Sequence, residues 1–244
     1  MSADRDTKLG FATRSVHAGY NSSDFEGALN PPIVMSSTFA FDNVAQGAGR
    51  FSGEQSGHFY SRISNPTQAV LETRLADLEE GEAALATASG MGAITATLWT
   101  LLAPGDQLLV DKTVYGCTFS FMQHGLQKFG VDICFADFTD PEDIQAKLTE
   151  QTKLMYFETP ANPNMRVIDI AAVTALVKAY NPTIKCMVDN TYCTPALQRP
   201  LTLGADIVVH SATKYLGGHG DLIAGAVVAD AETIEQIRMY GLKD

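Results

Sequence analysis

The chain has 244 residues, with 17 Lys and Arg against 28 Asp and Glu and a formal net charge of −11 at pH 7. An acidic surface repels phosphodiester backbones and anionic lipid, which argues against nucleic acid and membrane surfaces as partners. A chain of this length buries roughly 70% of its unfolded surface, enough for one large α/β domain or two smaller ones.

The opening stretch MSADRDTKLG carries acidic residues and no apolar run, so it does not read as a secretory signal. Up to residue 62 the sequence is rich in Gly, Ser, Asn and Pro, with NPPIVMSSTFAF as its one apolar segment. Residues 1–62 therefore read as an irregular, extended arm, and residues 63–244 as a second unit. From SNPT onward the rhythm changes. Asn65 can cap, Pro66 suits a first helical turn, and TQAVLETRLADLEEG runs at helical period to a stop at Gly81.

Strand-like and helix-like segments then alternate. AALAT precedes GMGAITATLWTLL, QLLV precedes YGCTFSFMQHGLQKFG, VDICFAD precedes PEDIQAKLTE, and KLMYFE precedes DIAAVTALVKAY. IKCMVD, ADIVVHS and AGAVVAD follow, the last before a helical AETIEQIRMYGLKD. Short apolar strands in such alternation imply an α/β fold with a mainly parallel sheet between helices. The uncharged run at 83–105 is long enough for a membrane span. Its Thr, Ser and Gly residues and the helical spacing of Met91, Ile94, Leu98, Leu101 and Leu102 favour strand, loop and buried helix instead. The cysteines Cys117, Cys134, Cys186 and Cys193 show no CxxC spacing, and a chain of this size needs no staples. Reduced thiols in a cytoplasmic setting, and no metal site, are the expectation.

Open sheets of this kind bind ligands beyond the carboxyl ends of their strands, and four places there carry chemistry. In TASGMG, Ser89, Gly90 and Met91 offer N–H groups at a helix start, which favours phosphate; small residues at such turns also serve plain packing. In IKCMVDNTYCTP, Asp189 ends a strand, as a ligand carboxylate or as a turn Asp. In ADIVVHSATKYLGGHGD, Ser211, Thr213 and Lys214 end another strand before Gly217, Gly218 and Gly220, which allow close backbone approach; a surface lysine in a glycine-rich loop is the plainer reading. In HFYSRISNPT, Arg62 presents a fork suited to phosphate close to Tyr60, although most such arginines are merely surface residues.

Together these groups match the needs of pyridoxal phosphate: donors for the phosphate, an amine for the aldehyde, and a carboxylate that keeps the pyridine nitrogen protonated. The ordered motifs SVHAGY, NPPIVMSSTF, YSRISNPT, ASGMGAI, YGCT, FETPANP, VDNTYCTP, SATKYLGGHGD and GLKD resemble the Cys/Met-metabolism family of fold-type I pyridoxal-phosphate enzymes. The resemblance implies that Lys214 forms the Schiff base with the cofactor aldehyde and Asp189 pairs with its ring nitrogen. It also implies that Ser89, Gly90, Met91, Ser211 and Thr213 hold the phosphate, completed by Tyr60 and Arg62 in the site of a neighbouring subunit. By the same resemblance Tyr115 would stack on the ring and act as a general acid, with Glu158, Asn162 and Thr191 as further pocket members. The family is implied to be homo-oligomeric, a dimer with shared sites and typically a tetramer.

Cys117 in YGCT, with Lys243 and Asp244 in GLKD, makes the chain most similar to the branch that converts L-methionine by α,γ-elimination to methanethiol, 2-oxobutanoate and ammonia. Cystathionine γ-lyase, cystathionine γ-synthase or O-acetylhomoserine sulfhydrylase chemistry is the alternative inside the family. The family continues past GLKD into a smaller C-terminal domain with an arginine for the substrate carboxylate. A truncated cofactor-binding fragment without turnover is therefore the reading from another class.

Overall fold

The computed structural model describes residues 9–243; Asp244 and the first eight residues, with the reading of a missing signal made on them, lie outside the described residues. The arm has more regular structure than its composition implies. It holds helices α1 (Phe11–His17) and α2 (Val44–Ser52), a 3₁₀ turn at Ser22–Phe25, and a bridge between Thr38 and Tyr60. Local capping supplies what apolar periodicity does not: Asn43 accepts Gln46 N–H, and Gly53 ends α2 in the left-handed region.

Helix α3 (Pro66–Glu79) begins as expected, with Pro66 in the first turn and Asn65 Oδ1 accepting Thr67 N–H. The expected alternation follows as β1 (Ala83–Thr87), α4 (Gly90–Leu101), β2 (Gln107–Asp111), α5 (Gly116–His124), β3 (Asp132–Ala136), α6 (Pro141–Lys147), β4 (Thr152–Glu158) and α7 (Ile170–Tyr180). It continues through β5 (Lys185–Asp189), a short α8 (Thr194–Leu197), β6 (Ile207–His210), β7 (Gly225–Ala229) and α9 (Ala231–Gln236). The last helical segment is not one uniform helix: from Ile237 to Lys243 it widens into π-helical turns. The run at 83–105 is strand, loop and helix, and among the described residues no helix is long and apolar enough to cross a membrane.

The seven strands form one sheet in the order β1, β7, β6, β5, β4, β2, β3. Only β7 runs antiparallel, paired with β1 on one side and β6 on the other. Strands β1 to β6 thus all deliver their carboxyl ends to one edge. Alternate residues face opposite layers. On one face Leu108, Val110, Leu154, Tyr156, Met187 and Val209 pack with Ala93, Ile94 and Leu98 of α4. On the other, Leu109, Met155, Phe157, Cys186 and Val188 meet α6 and α7, while Ala84, Val208 and Val228 meet α3. Strands this apolar on both faces need two covering layers, and complete burial of one leucine such as Leu98 contributes about 2 kcal/mol.

Candidate active site

At the carboxyl edge, Ser89 caps α4: its Oγ accepts Gly92 N–H at 2.9 Å while its carbonyl accepts Thr87 Oγ1–H at 2.9 Å. The N–H groups of Gly90 and Met91, in the first turn, lack an intrahelical acceptor and sit at the positive end of the helix. The Met91 side chain turns to the core, where its sulfur accepts Thr118 Oγ1–H at 3.7 Å, leaving only its backbone toward the edge.

Two close approaches bring this turn against distant segments. A Cβ on Gly90 would lie 2.7 Å from Ser211 Cβ and 2.9 Å from Ser211 Oγ, and a Cβ on Gly225 would lie 2.1 Å from the Ser89 carbonyl oxygen. Ser89, Gly90 and Ser211 therefore form one cluster, although 122 positions separate the first from the last (211 − 89). Thr213 anchors the loop behind it, exchanging hydrogen bonds of 3.1 Å with the backbone of Ala224 through its hydroxyl. Lys214 begins the turn beyond, its N–H donating to the Ser211 carbonyl at 3.1 Å and its side chain exposed.

Asp189 has both carboxylate oxygens engaged. Thr191 N–H donates to Oδ1 at 2.9 Å, the turn geometry that sequence allows, and Tyr156 Oη–H donates to Oδ2 at 3.2 Å. Thr191 also accepts Ser211 N–H at 2.7 Å through Oγ1, tying the end of β5 to the end of β6. Glu158 is in direct register with Asp189 on β4 and accepts Tyr115 N–H at 2.5 Å. Burial, and after it the Asp189 charge, push the Glu158 carboxyl up to about 8. Tyr115 is exposed at the start of α5; its phenol is raised above the usual range, first by hydrogen bonding to Cys117, which is exposed two residues further on. The buried Tyr156 phenol is raised well above its usual range by desolvation and then by Asp189. Asn162 is exposed beyond β4, its backbone lowering Glu158 against the larger upward effects.

Tyr60 and Arg62 are not hydrogen-bonded to this cluster. The Arg62 guanidinium lies 5.6 Å from the Tyr60 ring centroid and donates to the carbonyls of Leu242 and Lys243. Lys243 meets them only through its backbone. Sequence reasoning missed Thr87, Tyr156 and Gly225. Tyr156 was findable, because it precedes Glu158 by two positions and so shares its face of β4. Gly225 gave no local signal, since its constraint comes from Ser89.

A sheet edge that gathers a helix start, a carboxylate and an amine marks a cofactor-binding α/β domain. The chain belongs to the Cys/Met metabolism PLP-dependent enzyme family, whose model matches residues 12–242. It is 56% identical over 241 residues to the L-methionine gamma-lyase of Pseudomonas deceptionensis, covering 99% of this chain and 60% of that protein. The crystal structure of metB from Corynebacterium glutamicum superposes with a TM-score of 0.89 at 38% identity, over 98% of this chain and 60% of that one. Cystathionine gamma-lyase from Lactobacillus plantarum, solved with L-serine, gives 0.87 at 38% identity, over 96% and 59%. The chain thus spans about 60% of the length of these relatives.

The residues present fit pyridoxal phosphate. Gly90 packs against Ser211 too closely to admit a Cβ, and this approach brings the Ser89 and Ser211 hydroxyls beside the N–H groups at the start of α4, donors of the kind a phosphate takes.

Proposed function

We propose that this chain is the cofactor-binding part of a pyridoxal-phosphate carbon–sulfur lyase of the methionine γ-lyase type. In this reading L-methionine and water yield methanethiol, 2-oxobutanoate and ammonia. The observation that carries it is the Gly90–Ser211 cluster on the same sheet edge as Asp189 and Lys214, in a chain 56% identical to an L-methionine gamma-lyase. When bound, pyridoxal phosphate supplies an electron sink for negative charge at the substrate Cα.

The chain's own residues do the rest. Ser89, the N–H groups of Gly90 and Met91, and Ser211 grip the phosphate, with Thr213 steadying the loop. Asp189, held by Thr191 and Tyr156, keeps a proton on the ring nitrogen. Lys214 Nζ is the covalent anchor and then the base for the Cα proton; Tyr115 Oη, a phenol protonated at neutral pH, delivers a proton to the departing sulfur. Glu158 orients Tyr115 through its backbone, with Asn162 beside it. In this reading Cys117 and Lys243 are substrate-side groups, and Asp244, the third such candidate, lies outside the described residues. The same reading takes residues 1–62 as an arm docked on a second copy, with Tyr60 and Arg62 serving that copy's site, and residues 63–244 as the cofactor domain. The exposure of Leu29, Ile33 and Met35 supports it, Met35 being 92% exposed. A cytoplasmic setting belongs to this reading, in keeping with four free cysteines, and so does the homotetramer implied by the family resemblance.

Borohydride reduction of chain saturated with pyridoxal phosphate should label Lys214 and leave Lys214→Ala unlabelled. Label elsewhere, or none, overturns the cofactor assignment. The likeness to a cystathionine gamma-lyase favours a second reading with cystathionine or O-acetylhomoserine as substrate. Turnover of those compounds without methanethiol release from methionine selects it, and labelling without turnover selects a cofactor-binding fragment.

A further inference from the structure

The three central strands end in residue pairs that serve opposite sides of the sheet. Glu158, Asp189 and Ser211 belong to the ligand side, and their neighbours Thr159, Asn190 and His210 enter a polar cluster on the side covered by α3. Glu79 and His210 have fully buried side chains, with Glu79 Oε1 2.5 Å from His210 Nε2. The same Glu79 oxygen accepts Asn190 Nδ2–H at 2.8 Å. Gln198 Nε2–H donates to Asn190 Oδ1 and to the Thr159 carbonyl, each at 3.0 Å. One connected network thereby joins α3, the residue after α8, and the ends of β4, β5 and β6.

An ionisable pair withdrawn fully from water is costly, and this one touches no ligand-side atom. What it does fix is the relative position of three strand ends. The ligand-side bonds that span those ends are Tyr156 Oη–H to Asp189 Oδ2 and Ser211 N–H to Thr191 Oγ1, and Thr191 N–H to Asp189 closes the local turn that carries the second acceptor. We propose that Glu79 and His210 are positioning residues, which lock the ends of β4, β5 and β6 from behind so that Asp189, Thr191 and Ser211 keep the spacing pyridoxal phosphate requires. The ligand in this statement rests on the function proposed above; the mechanical part does not.

Asp206 provides a control at the opposite edge, where it accepts Cys186 N–H at 2.6 Å and pairs with Lys178 at 2.8 Å. Amide hydrogen exchange on cofactor-free chain should show Thr191 and Ser211 exchanging about tenfold faster in Glu79→Gln and His210→Gln, with β2 and β3 unchanged. Asp206→Asn should leave those two amides alone, whatever it costs in stability. Pyridoxal-phosphate titration followed by fluorescence should show the dissociation constant rising about tenfold in the first two variants and not in Asp206→Asn. If Glu79→Gln does not fold, Gln198→Ala at the rim of the network should give the same local exchange pattern. Uniform acceleration through the sheet, or none at Thr191 and Ser211, overturns the proposal. Wild-type chain that takes up no pyridoxal phosphate overturns the function proposed above, and the exchange measurement still decides this one.

Discussion

Glu158 and Asp189 end neighbouring strands side by side, and burial of Glu158 makes charge on it expensive. With the Glu158 carboxyl at about 8 in the folded chain, the folded state holds more protons than the unfolded state between the ordinary carboxyl value and 8. Stability of cofactor-free chain should therefore fall as pH rises through that window and level off above it. Glu158→Gln should flatten the profile, measured by urea unfolding at a series of pH values; an equally steep fall in the variant refutes the assignment. At this scale the sequence was most legible where strands stop. Lys214, Asp189, Ser89 and Ser211 all stood out by that rule. Glu79 did not, because a glutamate late in a helix rich in charged residues looks solvent-facing and its partners Asn190 and His210 are 111 and 131 positions away.

Among the elements, α4 and its cap depend most on neighbours. Gly90→Ala places a Cβ against Ser211, where overpacking should cost about 2 kcal/mol and weaken pyridoxal-phosphate binding at the same time. Thermal unfolding and cofactor titration of one sample test both effects; binding unchanged in a folded variant would remove Gly90 from the cradle. Helix α3 offers a milder case. Asn65 caps it and also donates from Nδ2 to the Val34 carbonyl and Ser61 Oγ at 3.0 and 2.9 Å. Asn65→Ala should lose about 1 kcal/mol in urea unfolding and loosen the arm, read as faster proteolysis before residue 62. The strands and most helices were readable because apolar period and punctuation agree in them. The helices of the arm were not, since α1 buries no side chain and α2 buries only glycines.

For the molecule as a whole, a second buried charge ties distant parts together. Asp111, at the end of β2 and wholly buried, accepts N–H groups from Thr113 and Phe138 and is paired with Arg166 at 3.1 Å. Arg166 also pairs with Asp137. Removing one partner of such a pair leaves the other uncompensated, so Arg166→Met should cost about 3 kcal/mol in urea unfolding. A loss below about 1 kcal/mol would show that the backbone donors alone satisfy Asp111. Sheet class could be read from the alternation of elements, but strand order could not: nothing local in AGAVVAD says that it runs backwards between the first and sixth strands.

That placement dictates when the cradle can exist. The strand β1 borders only β7 in the sheet, so the hydrogen-bonded bridge between the Ser89 and Ser211 sides is missing until residues 225–229 have been synthesised. A ribosome-bound chain stopped short of that point can stack its parallel layers from β6 to β3, yet lacks the strand that closes the sheet between the two halves of the phosphate cluster. Vitamin capture should accordingly be a late event in biogenesis, following long-range closure rather than guiding it.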